Sequence, residues 1–129
     1  MKVGIIGLGR MGGAFARNLL RRGYDLYVYD IVKSKVEDLV KLGAKGTSSP
    51  AEMASIADIV LTNVPRSEDM LDVYLGENGV LKSPRPGLIA VETSTTDIPS
   101  KLKLAEECRK KGVGFLVAML GLTVPQAER

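Results

Sequence analysis

The sequence predicts a doubly wound α/β fold: a parallel sheet of six strands, order 3-2-1-4-5-6, with helices on both faces. Three observations carry that expectation. Short β-branched runs alternate with longer amphipathic stretches along all 129 residues, as repeated βαβ units require. The runs are nearly all apolar instead of alternating, as strands covered on both faces should be. The first run opens into a glycine-rich turn and then a helical pattern.

In chain order, the patterning predicts strands over 2–6, 26–29, 44–46, 58–63, 88–92 and 113–117. Helices are predicted between them over 11–22, 33–41, 50–56, 67–75 and 99–111. The first helix should stop at Gly23 and the second at Gly43, where a left-handed residue closes the last turn. The third has its start written out as Ser49-Pro50-Ala51-Glu52, a serine cap, a proline at the first position and a glutamate at the third. The stretch 76–87, with Gly79, Pro84, Pro86 and Gly87, reads as a surface connection. Asp97 or Ser100 is the candidate cap for the fifth helix, and Gly112 stands just past its end.

Composition removes several classes of function. With 45% hydrophobic and 26% charged residues, the chain has the balance of one globular domain. It has one cysteine, Cys108, and no histidine. An intrachain disulfide, a structural zinc site, a Ser-His-Asp triad and a histidine metal ligand are therefore excluded. No apolar run approaches the length of a membrane-spanning helix. Residues 1–7 read directly into a strand with no signal-peptide pattern, so a cytoplasmic setting is the expectation. Charge is uneven: residues 1–49 carry nine Lys/Arg against four Asp/Glu, and the rest nine against eleven. Interleaved surface aromatics are absent, so a nucleic-acid partner is not expected.

The sharpest motif is Gly7-Leu8-Gly9-Arg10-Met11-Gly12, a GxGxxG between a strand and a helix. That is the context in which the pattern binds a dinucleotide. Gly7 permits a tight turn, Gly9 lets backbone amides approach a pyrophosphate, and Gly12 lets the helix pack close to the strands. The anion would sit at the helix N-terminus near Arg10 and Met11. Arg17, Arg21 and Arg22, further along, are expected to be solvated. The second strand ends at Asp30, 21 residues after Gly9. A carboxylate there accepts ribose hydroxyls and repels a 2′-phosphate, and Ile31 supplies no guanidinium. NAD is therefore expected ahead of NADP, although Lys33 and Lys35 are placed to offset a phosphate. A helix-capping role for Asp30 stays open.

Two more loops should reach the crevice at the carboxyl ends of the strands. One is Asn63-Val64-Pro65-Arg66-Ser67, where proline stiffens the edge. The other is Glu92-Thr93-Ser94-Thr95-Thr96, whose hydroxyls suit either a ribose or carboxamide, or the cap of the next helix.

With these residues set out, the chain resembles the N-terminal domain of the β-hydroxyacid dehydrogenase family, which includes the 3-hydroxyisobutyrate, tartronate semialdehyde and 6-phosphogluconate dehydrogenases. The family run GxGxMGxxxAxNLxxxG is present as Gly7, Gly9, Met11, Gly12, Ala16, Asn18, Leu19 and Gly23. Pro65, the Ser94-Thr95 pair and Gly112-x-Gly114-Phe115-Leu116 also match. The resemblance implies that the glycine loop with Asp30 and Ile31 holds the cofactor. It further implies that Val64, Pro65 and Asp69 border the nicotinamide side, that Thr95 contacts the cofactor, and that the activity is hydride transfer to or from a small hydroxy acid.

The same resemblance frames the departures. Residues 1–116 are expected as the dinucleotide-binding Rossmann domain, and residues 117–129 as an altered form of the family's substrate loop. Val117, Met119 and Gly121 stand where the pattern has Asp, Pro and Ser, which leaves Ser94 and Gly121 as substrate-side candidates. Pro99 lies one residue further from the Ser-Thr pair than usual. The family's catalytic lysine falls beyond Arg129, and none of Lys101, Lys103, Lys110 or Lys111 matches it. No metal site is expected. The leading expectation is thus an NAD(P)-dependent oxidoreductase represented by its cofactor domain, acting on a hydroxy acid only in a longer form. The alternative is a non-catalytic dinucleotide-binding or protein-interaction module, with residues 117–126 as a partner surface.

Overall fold

A computed structural model describes residues 1–118 and 124–129. Strands β1 (Lys2–Ile6), β2 (Asp25–Tyr29), β3 (Lys45–Gly46), β4 (Ile59–Thr62), β5 (Ile89–Glu92) and β6 (Gly114–Val117) alternate with helices. These are α1 (Arg10–Arg21), α2 (Lys33–Lys41), α3 (Pro50–Ile56), α4 (Ser67–Leu75), α5 (Ile98–Lys110) and the short α6 (Val124–Ala127). The six strands form one sheet in the order β3-β2-β1-β4-β5-β6, and every pairing is parallel. β1 pairs with both β2 and β4, so the winding reverses at β1/β4 and opens a crevice at their carboxyl ends.

The period of two along each strand divides the core between the faces. Val3 and Ile5 of β1 pack with Leu26 and Val28 of β2 against Ala16 of α1 and Leu39 of α2. Ile6, Val60 and Ala90 point the other way, to Met53 of α3, Met70 and Tyr74 of α4, and Leu104 and Cys108 of α5. The buried face of α1 is made of Gly12, Gly13, Ala14 and Ala16, small residues that let the helix lie close to the sheet.

The caps follow the sequence closely. Ser49 accepts the Glu52 amide at 3.1 Å, while Glu52 reaches back to the Ser48 amide at 2.8 Å, which closes a capping box one residue wide of the usual one. For α5 the cap is Asp97, which accepts the Ser100 amide at 2.8 Å. Hydrogen bonds from Ser67 and then from the Ser100 amide and hydroxyl hold the Asp97 carboxyl down at about 2.

Three features differ from expectation. The 76–87 connection is not merely a surface loop, because Val80 and Leu81 are buried. The Val80 and Leu81 amides donate to Val73 and Tyr74 carbonyls at 2.8 and 3.1 Å, so the loop folds back under the end of α4 and satisfies its orphan acceptors. The second feature is α6, which packs on α1. Asn18 Nδ2 donates to the Ala127 carbonyl at 2.9 Å, Arg22 donates to that of Arg129 at 2.9 Å, and Arg17 pairs with Glu128. Third, and in consequence, Arg17 and Arg22 are tethers for residues 127–129 and not simply solvated charges.

Cys108 lies fully buried on α5, and desolvation pushes its thiol up to about 12. On the order of one thiol in ten thousand would be thiolate at pH 8, and only thiolate reacts readily. Ellman's reagent is therefore expected to release no thiolate from the native protein and one equivalent in denaturant. Fast native labelling would contradict this placement.

Candidate cofactor site

The three glycines of the turn do different work. Gly7 ends β1 with φ +96°, a conformation that favours glycine, and a Cβ there would lie 1.9 Å from the Asn63 carbonyl oxygen. At Gly12 a Cβ would lie 1.9 Å from the Gly7 carbonyl oxygen, so these two glycines are demanded by packing. Gly9 is the opposite case: nothing lies within 4 Å of its Cβ position. It is the N-cap of α1, and no side chain caps that end. The first turn of α1 thus has no side-chain cap and an unobstructed approach at Gly9, the arrangement that receives a phosphate.

Asp30 braces this loop. Its Oδ2 accepts the Leu8 amide at 2.7 Å and its Oδ1 the Val32 amide at 2.8 Å. Val32 itself is the N-cap of α2 and makes no side-chain cap bond, so Asp30 forms an Asx-type turn and not the helix cap. Each carboxylate oxygen has a second acceptor site, which leaves capacity for a ligand hydroxyl.

A cleft of about 530 Å³ opens in front of the turn, within the range of small-molecule sites. Gly7 and Gly9 form its floor, Asp30, Ile31 and Lys35 one side, and Val64, Pro65 and Asp69 the other. Seven expected cofactor residues therefore share one cavity: Gly7, Gly9, Asp30, Ile31, Val64, Pro65 and Asp69. Leu8 and Gly12 are buried and Arg10 is exposed, and none of the three lines the cleft. Met11 is half-buried and Thr95 exposed; both lie outside the lining. Gly121 falls outside the described residues. Two details refine the far wall. Arg66 holds Asp69 through Nε and Nη2 at 3.1 and 3.4 Å, and Ser94 is turned inward, with Oγ accepting the Val64 amide at 2.8 Å.

The sequence reading gave no role to Glu92, which is fully buried. Its carboxylate accepts the Ser94 amide at 2.6 Å and the Thr62 hydroxyl. Thr62 in turn lies 2.9 Å from the Tyr74 hydroxyl. Burial, with the Glu92 charge beside it, raises the Tyr74 phenol well above its ordinary value. The one available signal was a carboxylate closing an otherwise apolar strand.

A glycine turn at the switch point of a parallel sheet, with open amides and an acidic second strand end, defines a dinucleotide-binding α/β domain. The chain belongs to the family described as the NAD binding domain of 6-phosphogluconate dehydrogenase, whose family model matches residues 2–121. Mouse mitochondrial 3-hydroxyisobutyrate dehydrogenase is 40% identical over 116 residues, covering 90% of this chain and 35% of the relative. NAD-dependent L-serine dehydrogenase of Pseudomonas aeruginosa is 37% identical over 117 residues, 91% of this chain and 39% of that one. The chain thus spans little more than a third of these relatives. Among solved structures, imine reductase from Myxococcus stipitatus in complex with NADP+ superposes with a TM-score of 0.85 at 26% identity, covering 97% of this chain and 43% of that one. A V8 variant of that enzyme in complex with NAD+ superposes at 0.82 and 26%, covering 96% and 42%. Nicotinamide dinucleotide binding follows for this chain. Among the described residues no helix is long and apolar enough to cross a membrane.

Proposed function

We propose that the chain is the cofactor domain of a hydroxy-acid dehydrogenase and that it prefers NAD. Asp30 carries the preference: a carboxylate already fixed by Leu8 and Val32 presents its remaining lone pairs to a diol and repels a 2′-phosphate. Lys35 on the same wall moderates that repulsion without replacing the carboxylate. The hydroxy acid is supported by the family resemblance and by the name of the mouse relative.

The residues present fit the cofactor. Gly9 and the first-turn amides of α1 would hold the pyrophosphate, and Asp30 the adenosine ribose. Val64, Pro65 and Asp69 face Ile31 and Lys35 across the cleft, so this reading moves them from the nicotinamide side to the adenosine side. The nicotinamide supplies the hydride acceptor or donor when bound. No described residue is assigned the acid/base role. The protein's own contribution is binding and orientation.

Asp30→Ala tests the preference. It frees the Leu8 amide, which weakens both cofactors alike, but it removes the 2′-hydroxyl hydrogen bond only from NAD and a repulsion only from NADP. The NAD/NADP affinity ratio measured by calorimetry should fall by roughly 10- to 100-fold, the size of one or two charge-assisted hydrogen bonds. Equal losses for both cofactors would place Asp30 away from the ribose.

A further inference from the structure

Behind the cleft wall lies the buried polar chain headed by Glu92. Its side chain lies on the face of the sheet that carries Val60 and Tyr74, and β4 and β5 pair Thr62 directly with Glu92. No ion pair found among the described residues includes it. Taking a carboxylate out of water costs several kcal/mol, and an apolar side chain would avoid that cost. What the carboxylate supplies is a fixed acceptor for the Ser94 amide.

Ser94, in turn, fixes the β4 loop, since its Oγ is the acceptor for the Val64 amide. Beside it, Thr93 Oγ1 donates to the Thr62 carbonyl at 2.8 Å and accepts Asn63 Nδ2 at 3.0 Å. The Asn63 carbonyl packs against Gly7, so a shift of this loop transfers directly to the glycine turn. The connections therefore run from Glu92 to Ser94 to Val64 on one wall, and through the adjoining Asn63 to the glycine turn at the floor.

We propose that Glu92 is a positioning residue for the cofactor: by holding Ser94 it sets the Val64 amide and with it the wall that faces the glycine turn. The proposal rests on the dinucleotide reading above. It differs from a purely structural role in one respect. If Glu92 only filled the core, its loss would lower stability without changing the affinity of the folded protein. If it acts through Ser94, the two residues work in series on one loop.

The test is a double-mutant cycle of Glu92→Leu and Ser94→Ala, with Glu92→Gln as the conservative variant. NADH affinity is titrated well below each variant's thermal midpoint, and exchange of the Val64 amide is followed by NMR. Glu92→Leu and Ser94→Ala should each weaken NADH by ~5- to 10-fold, the loss of about one hydrogen bond's ordering. The double variant should lose no more than the larger single, since coupled residues are non-additive. Glu92→Gln, whose amide oxygen still accepts the Ser94 amide, should bind within about twofold of wild type. Val64 should exchange faster in Glu92→Leu and Ser94→Ala alone. Wild-type affinity in Ser94→Ala, or full additivity in the cycle, overturns the proposal. Should Glu92→Leu fail to fold, Ser94→Ala and Glu92→Gln still decide it. Failure of the wild-type chain to bind NADH and NADPH would instead overturn the cofactor reading, and this inference with it.

Discussion

Gly9→Asp is expected to leave the protein at least as stable as wild type while removing dinucleotide binding. Gly9 adopts φ −67° and ψ −162°, an extended backbone open to any residue, and its Cβ position is unobstructed. It caps α1 without a side-chain hydrogen bond, and aspartate is among the best N-caps, better than glycine by a few tenths of a kcal/mol. The charge also suits the positive end of the helix by about 0.3–1 kcal/mol, trimmed by Asp30, which bonds the neighbouring Leu8 amide. The same carboxylate would occupy the amides meant for the pyrophosphate and repel it. Losing two charge-assisted hydrogen bonds predicts a drop in NADH affinity of at least ~100-fold. Gly9→Ser, which adds a cap without charge, should fall between. Thermal melting and NADH titration on the same samples check both halves. Affinity retained within about threefold would mean that the phosphates lie elsewhere.

The contrast between Gly9 and its neighbours shows what the sequence can and cannot disclose. The βαβ order and the caps at Ser49 and Asp97 are legible because they rest on local spacing, and their hydrogen bonds form within three residues. The glycine turn is legible from the same kind of spacing, and so is the place of Asp30 at the end of β2, but its bond to the Leu8 amide spans 22 residues. Ser94 was not: its position in a loop is readable, but the inward turn of its hydroxyl is set by the Val64 amide on another strand's loop. Glu92 is hidden in the same way, since its burial depends on the register that places it opposite Thr62. The grip of Arg17, Asn18 and Arg22 on residues 127–129 spans most of the chain, so no periodicity could report it. Asp69 illustrates the remaining gap. Its helix was foreseeable, but the wall it faces is fixed only once α2 and α4 flank the same crevice.

Gly12→Ala should behave in the opposite sense to Gly9→Asp, with stability failing first. Alanine is the better helix former by about 1 kcal/mol, so propensity alone predicts a gain. The added Cβ, however, would meet the Gly7 carbonyl oxygen at 1.9 Å, and that oxygen belongs to backbone. The turn cannot yield cheaply, because Gly7 donates its amide to the Tyr29 carbonyl at 3.0 Å and packs on Asn63 behind it. Overpacking of this kind costs about 1–3 kcal/mol and occasionally more, which outweighs the propensity gain. A fall in thermal midpoint of roughly 5–10 °C is expected for a domain of this size. NADH affinity should fall as well, since α1 must move away from the turn that shares its anion site. Gly13 on the same helix is the internal control. There a Cβ would meet the Arg17 guanidinium at 3.3 Å, the end of a flexible side chain, so Gly13→Ala should keep most of the propensity gain. If the two alanines shift the midpoint alike, helix propensity governs this segment, and the close approach of α1 to Gly7 does not constrain the turn.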